Sequence, residues 1–335
     1  MIKFNSIFKN EIIDFLNIRR TILGNSAYKH NVCYLASFDA FLINIDQQER
    51  KITETILNGW LKTLVGKKRS KVGKVIIIRI FIKYLRSLGV SAHDPIIPKS
   101  ADDYIPYIFS DEELERIFNA ADNIIVTKRQ PNPYIKIVFP MILRLLYGCG
   151  LRIGETLALR MENIDLEGGI LTLLHTKNGK HRLVPMSLSL TEIMRKYCLA
   201  MGIIGFPDAF LFPSKNPARP MSIRSVRNRF DTVLSNIGIK LSYRNKCKLP
   251  NRIRHERGPC QHCLRHVFVF KSFAQAQKNG RNIDDSIPFL SIYLGHDSLK
   301  ETEKYLKFSS ELFPKALELF ENYAGMAFPE AHYEE

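Results

Sequence analysis

Apolar residues recur at helical spacing through the first ninety positions. Phe8, Ile12, Ile13, Phe15, Leu16 and Ile22 mark one face of a first helix, and Gly24-Asn25-Ser26 breaks it. A second helix is predicted over 28–43, from Val32, Leu35, Phe38 and Leu42, and a third over 52–64. A fourth, dense in isoleucine, is predicted over 72–88 and stopped by Gly89. The basic run 66–74 between the last two reads as a loop. Residues 91–107, with Pro95, Pro98, Pro106 and several aspartates, keep no apolar period and read as a linker.

A second domain is expected over 108–326. Ser110 and Glu113 form a capping box at its first helix. The run 135–147 is apolar all round, as a buried helix would be, and closes at Gly148-Cys149-Gly150. Alternation over 169–175 and 182–186, joined through Asn178-Gly179, predicts a β-hairpin. Further helices are expected over 190–201, 222–237, 263–278 and 287–294, then a short one ending near Tyr305 and a last amphipathic one over 311–326. The fold class is mainly α, in two domains, with a small antiparallel sheet in the C-terminal one.

Composition is that of an ordinary soluble globular protein, but charge is not. Lys and Arg total 49 against 33 acidic residues, a net +16. That balance favours a polyanionic partner, since each phosphate neutralised releases a counterion. No apolar run is long enough for a membrane span, and the first residues lack the apolar core of a secretion signal. Six cysteines in such a chain are expected as reduced thiols in the cytoplasm. Lys67, Lys68 and Arg69, Arg224 and Arg227, and Arg244 and Lys246 are candidate DNA contacts; the first group also reads as a solvated turn. Cys247, His255, Cys260 and Cys263 have spacings compatible with zinc, although His262 lies inside the Cys260–Cys263 pair; unpaired thiols are the alternative.

Four short motifs carry the candidate chemistry. Arg152, beside a glycine turn in apolar surroundings, needs an anion: either Glu155 pairs it as a buried structural partner, or Arg152 faces a phosphate while Glu155 fixes the backbone around it. Lys177 sits at the hairpin tip, where a lysine can donate a proton to a leaving oxygen or merely be solvated. Arg265 and His266, early in a core helix, demand polar partners. Finally, Leu294-Gly295-His296 precedes Tyr305 on a helix-compatible segment.

In order and spacing, Leu151-Arg152-Ile153-Gly154-Glu155, Lys177 before Asn178-Gly179, His262-Cys263-Leu264-Arg265-His266, Leu294-Gly295-His296 and Tyr305 resemble the catalytic domain of tyrosine recombinases, the phage-integrase and Xer-like family, over about 108–310. Residues 1–90 resemble that family's core-binding DNA-binding domain only in size and helix count. The resemblance implies that Tyr305 attacks a DNA phosphodiester to leave a 3′-phosphotyrosine. It implies that Arg152 and Arg265 clamp the phosphate, that Lys177 protonates the departing 5′-hydroxyl, and that His262 and His296 bind the phosphate and assist proton movement. Glu155 and His266 would support these groups. No cofactor and no metal is implied. The implied partner is double-stranded DNA with inverted-repeat core sites. The implied assembly is a homotetramer, or a heterotetramer with related recombinases, in which 311–326 docks into a neighbour or packs on its own domain. Gly154 stands where the family commonly has serine, and Cys263 where it has an acid; neither removes a proposed catalytic group. A mobile element is the expected user. Replicon dimer resolution, a silent DNA-binding relative and a one-subunit DNA-relaxing enzyme are the alternatives.

Overall fold

The computed structural model describes residues 2–66, 68–99, 106–125, 132, 134–174, 181–239, 258–303 and 305, with Lys68 and Arg69 described in their backbone alone. The chain divides into two compact units, Met1–Asp102 and Asp103–Glu335.

In the first unit, α1 (Lys9–Ile22), α2 (Asn25–Asn44), α3 (Glu54–Thr63) and α4 (Lys68–Ser87) bury the faces that the apolar spacing marks. Phe15 meets Phe81 edge-on with ring centroids 5.4 Å apart, and Phe38 meets Trp60 at 5.3 Å. Two expectations fail here. The region is not wholly helical: β1 (Lys51–Ile52) pairs in parallel with β2 (Ser91–Ala92), at the start of the expected linker. A two-residue ladder is too short to leave an alternating pattern. Thr53 then caps α3 by accepting from the Ile56 N–H at 3.3 Å, so the helix begins after Ile52. The basic run is not a loop either. Helix α4 starts at Lys68, so Arg69, Lys71 and Lys74 lie on its first turns. Gly73 inside it costs only about 1 kcal/mol relative to alanine, and lysine and arginine are good helix formers.

The second unit opens with α5 (Asp111–Asp122), whose capping box forms as expected. Ser110 Oγ accepts from the Glu113 N–H at 3.2 Å, and Glu113 accepts from the Ser110 N–H at 3.1 Å. Its centre is α6 (Ile135–Gly148), buried at Val138, Phe139, Ile142, Leu143, Leu145 and Leu146. Burying each such side chain contributes roughly 1.5–3 kcal/mol. It packs against α5, α7 (Ile153–Ala158), α8 (Leu188–Met201) and α10 (His262–Lys278). A three-stranded antiparallel sheet runs β3 (Ile164–Asp165), β4 (Ile170–Leu173), β5 (Arg182–Pro185), with Leu171 opposite Val184 and both buried. Strand β3 was not expected. The hairpin tip, with Lys177, lies outside the described residues.

Helix α9 (Ile223–Asn236) is capped by Ser222, as expected. Helix α11 (Ile283–Leu294) ends on Gly295 in the left-handed region, and α12 (Leu299–Glu303) leads to Tyr305. A smaller core between α10 and α11, including Val269, Phe273, Ile287 and Leu294, receives Tyr305. Among the described residues no helix is long and apolar enough to cross a membrane. The region expected as a helix over 311–326 lies outside them.

Candidate active site

The site starts where α6 stops. Gly150 has φ +57°, and a Cβ there would lie 2.4 Å from the Phe268 ring, so only glycine lets this turn close on α10. The turn delivers Arg152 to the first residue before α7. Glu155, one turn on, accepts from the Arg152 N–H at 3.0 Å and from its Nη1 at 2.9 Å. Glu155 thus pairs with Arg152 as the structural reading expects, while Arg152 keeps 23% of its side chain exposed.

Glu155 has a second, unanticipated partner. Arg182, at the start of β5 and 8% exposed, donates Nη1 to Oε1 at 3.1 Å and Nη2 to Oε2 at 2.8 Å. Its Nε donates to the Tyr293 carbonyl at 2.9 Å. Room for it comes from Gly295, where a Cβ would meet Arg182 Nη1 at 2.7 Å. In sequence Arg182 is one arginine in a strand. The signal that could have found it is the need of a buried carboxylate for full pairing.

Burial alone would raise the Glu155 pKa, but the Arg182 guanidinium and the Arg152 N–H outweigh it and hold it at about 2, below the ordinary 4.5. A depressed carboxylate stabilises the fold fully above its unfolded value, and that stability is lost as pH falls from about 4.5 towards 2. Glu155→Gln would leave the buried Arg182 guanidinium, and the half-buried Arg152, against a neutral amide. It is expected to cost about 3–5 kcal/mol in urea unfolding at pH 7 and to flatten this acid window.

From α10, Arg265 is 1% exposed. Its Nη1 donates to the Gly150 carbonyl at 2.6 Å, and its Nη2 to the Leu294 carbonyl at 2.9 Å and to His296 Nε2 at 3.0 Å. Burial first, then Arg152, lowers its pKa to about 10, so it stays charged at neutral pH. A guanidinium has only donors, so Nε2 of His296 accepts and Nδ1 carries the hydrogen, which it gives to Thr302 Oγ1 at 2.7 Å. Burial, then Arg265 and Arg152, pushes the His296 pKa down to about 3. The ring is neutral.

Tyr305, 7% exposed, lies parallel to His296 with ring centroids 6.5 Å apart. Its Oη is 3.2 Å from His266 Nδ1. Burial raises the phenol pKa above its ordinary value, opposed by Arg265 and Arg152. The His262 ring packs edge-on against His266 at 4.7 Å. Arg152 and Arg182 share Glu155, while Arg265 joins His296 and two backbone carbonyls beside the buried phenol, an excess of fixed positive charge that can attract a tetrahedral anion.

Of the expected site residues, Arg152, Glu155, His262, Arg265, His266, His296 and Tyr305 are brought together here. Lys177 lies outside the described residues, as do Lys67, Arg244 and Lys246. Arg224 and Arg227 are exposed on α9. Lys68 and Arg69 belong to α4. Cys260 and Cys263 are buried with sulfurs 3.7 Å apart, while Cys247 and His255 lie outside the described residues.

Residues 108–311 match the model of the phage integrase family. A protein of Sinorhizobium fredii named as an integrase/recombinase, y4rB, is 25% identical over 94% of this chain and 98% of its own. The tyrosine recombinase XerA of Saccharolobus solfataricus is 26% identical over 84% of this chain and 82% of its own. The fold is similar to that of the XerH site-specific recombinase, solved bound to a palindromic difH substrate as a post-cleavage complex. That match has a TM-score of 0.65 and 16% identity over 96% of this chain and 91% of XerH. With the arginine, histidine and tyrosine motifs gathered at one site and the family model covering most of the second unit, the chain belongs to the phage integrase family of tyrosine recombinases.

Proposed function

We propose that this chain cuts and rejoins DNA at specific sites, with Tyr305 as the nucleophile. The observation that carries this reading is the convergence of Arg152, Arg265 and His296 around Tyr305. Tyr305 Oη attacks the scissile phosphorus, the bond to the 5′-oxygen breaks, and a 3′-phosphotyrosine conserves the bond for religation. Arg152 and Arg265 stabilise the non-bridging oxygens as charge builds on them, their forks being already fixed by Glu155 and by backbone carbonyls. His296, accepting through Nε2, holds the Arg265 guanidinium in place. Lys177 is assigned the proton of the departing 5′-hydroxyl on the family resemblance, and no metal enters the scheme.

Residues 1–90 grip DNA, 91–107 join the two parts, and 108–326 perform the chemistry. Lys67, Lys68 and Arg69, with Arg224, Arg227, Arg244 and Lys246, contact backbone phosphates. Four protomers, alike or from related recombinases, assemble in the cytoplasm on two double-stranded sites with inverted-repeat cores, linked by 311–326. The user is a mobile element. This scheme rests on the residues of the cluster, the net charge of +16 and family membership.

The experiment is covalent trapping in EDTA on a nicked DNA built from the sequences flanking the protein's own gene. A denaturant-stable adduct, mapped by peptide mass to Tyr305, is the expected result. A footprinted, bound site with no adduct would move the protein to a silent DNA-binding role.

A further inference from the structure

Two arginines fill the Glu155 carboxylate between them. Arg152 gives its backbone N–H to Oε2 at 3.0 Å and its Nη1 to Oε1 at 2.9 Å. Arg182 gives Nη1 to Oε1 at 3.1 Å and Nη2 to Oε2 at 2.8 Å. A carboxylate has about four lone-pair sites, so both oxygens are saturated. The two guanidiniums differ in reach: the Arg152 side chain is 23% exposed and that of Arg182 only 8%. Arg182 is committed further through Nε, which donates to the Tyr293 carbonyl at 2.9 Å. It is placed to neutralise Glu155 rather than to meet DNA. Burial raises the Glu155 pKa, and the Arg182 hydrogen bonds come first among the contacts that bring it down.

We propose that Arg182 is a positioning residue for strand cleavage: by pairing with Glu155 it leaves the Arg152 guanidinium available to the scissile phosphate. This rests on the recombinase reading, in which Arg152 stabilises the non-bridging oxygens. Without Arg182, two acceptor sites on Glu155 open beside Arg152, whose Nη1 already touches the carboxylate. A planar fork facing a carboxylate closes into a bidentate pair. The turn would give up only the Gly295 carbonyl, now held by Arg152 Nη2 at 3.0 Å, for a charged acceptor. The charge meant for the phosphate would then be cancelled inside the protein. Arg182 also steadies the chain ahead of Gly295 through Tyr293. Its replacement alone would therefore not tell counter-charge from scaffold. Removing the carboxylate as well does so, because that frees Arg152 again without restoring any bond Arg182 made.

The test compares wild type, Arg182→Met and Arg182→Met/Glu155→Gln by urea unfolding and by single-turnover adduct formation on the nicked substrate, at saturating protein. Methionine keeps an apolar stem of similar length in the buried position. Arg182→Met is expected to form adduct about 10²-fold more slowly than wild type. The double variant is expected to react at least about tenfold faster than Arg182→Met. A single variant within about tenfold of wild type, or a double variant less than about tenfold faster than the single, would sink the proposal. Should Arg182→Met not fold, the double variant decides alone, since it leaves no under-paired carboxylate in the interior. Adduct formation within about tenfold of wild type is then expected, and a slower rate overturns the assignment. If wild type itself forms no adduct, the recombinase reading fails instead.

Discussion

Tyr305→Phe is expected to abolish the covalent DNA adduct, by about 10⁴-fold or more, while leaving the fold and DNA binding in place. The substitution removes one oxygen from a side chain that is 7% exposed and packed against α10 and α11. The ring stays, and with it the apolar burial. What is lost structurally is the contact with His266 at 3.2 Å, a net effect of about 1 kcal/mol. A melting temperature and a DNA affinity close to wild type, with no adduct on a denaturing gel, would separate chemistry from folding cleanly. An adduct that persists in the variant would move the nucleophile to another hydroxyl.

Arg265 carries the second large effect, and here chemistry and folding are not separable by one substitution. Arg265→Ala leaves the carbonyls of Gly150 and Leu294 and the Nε2 of His296 without their donor in a buried place. Each orphaned acceptor costs about 1–3 kcal/mol, so this variant is expected to unfold at markedly lower urea. Arg265→Lys is the informative companion. It keeps the charge, but an ammonium on a single stem cannot span Gly150 on one side and Leu294 with His296 on the other. Adduct formation is expected to fall about 10²–10³-fold, the usual effect of losing one donor to a developing oxyanion. The His296 pKa rises in Arg265→Ala, because the second largest cause of its depression is gone. A Lys variant with wild-type rates would show that charge alone, without the fork, is what the site requires.

Much of this site was legible because its residues announce themselves locally. Gly150 before Arg152, Arg265 inside an apolar helix and His296 after Gly295 are each polar groups that the surrounding pattern cannot explain. Other features are set by distance in space. Arg182 is buried because Gly295, far along the chain, has no side chain. Nothing in β5 itself reports that. Glu155 has two partners because a carboxylate with two oxygens can serve both, and the second of them, Arg182, lies 27 residues on. The contact of His266 with Tyr305 is likewise non-local: it depends on how α12 returns the chain to α10. The start of α4 was misjudged for a different reason. Lysines and a glycine look like a loop, but at the first turns of an amphipathic helix they cost little.

The short helix α12 ties two functions to one piece of chain. Thr302, fully buried, holds the tautomer of His296, and Tyr305 follows it by three residues. Pulling this segment away would therefore withdraw the Tyr305 hydroxyl and, in the same movement, free the His296 imidazole to rotate or to exchange its hydrogen between nitrogens. On the recombinase reading, displacing α12 would leave the site off in two respects, with the tyrosine withdrawn and its neighbouring histidine misaligned.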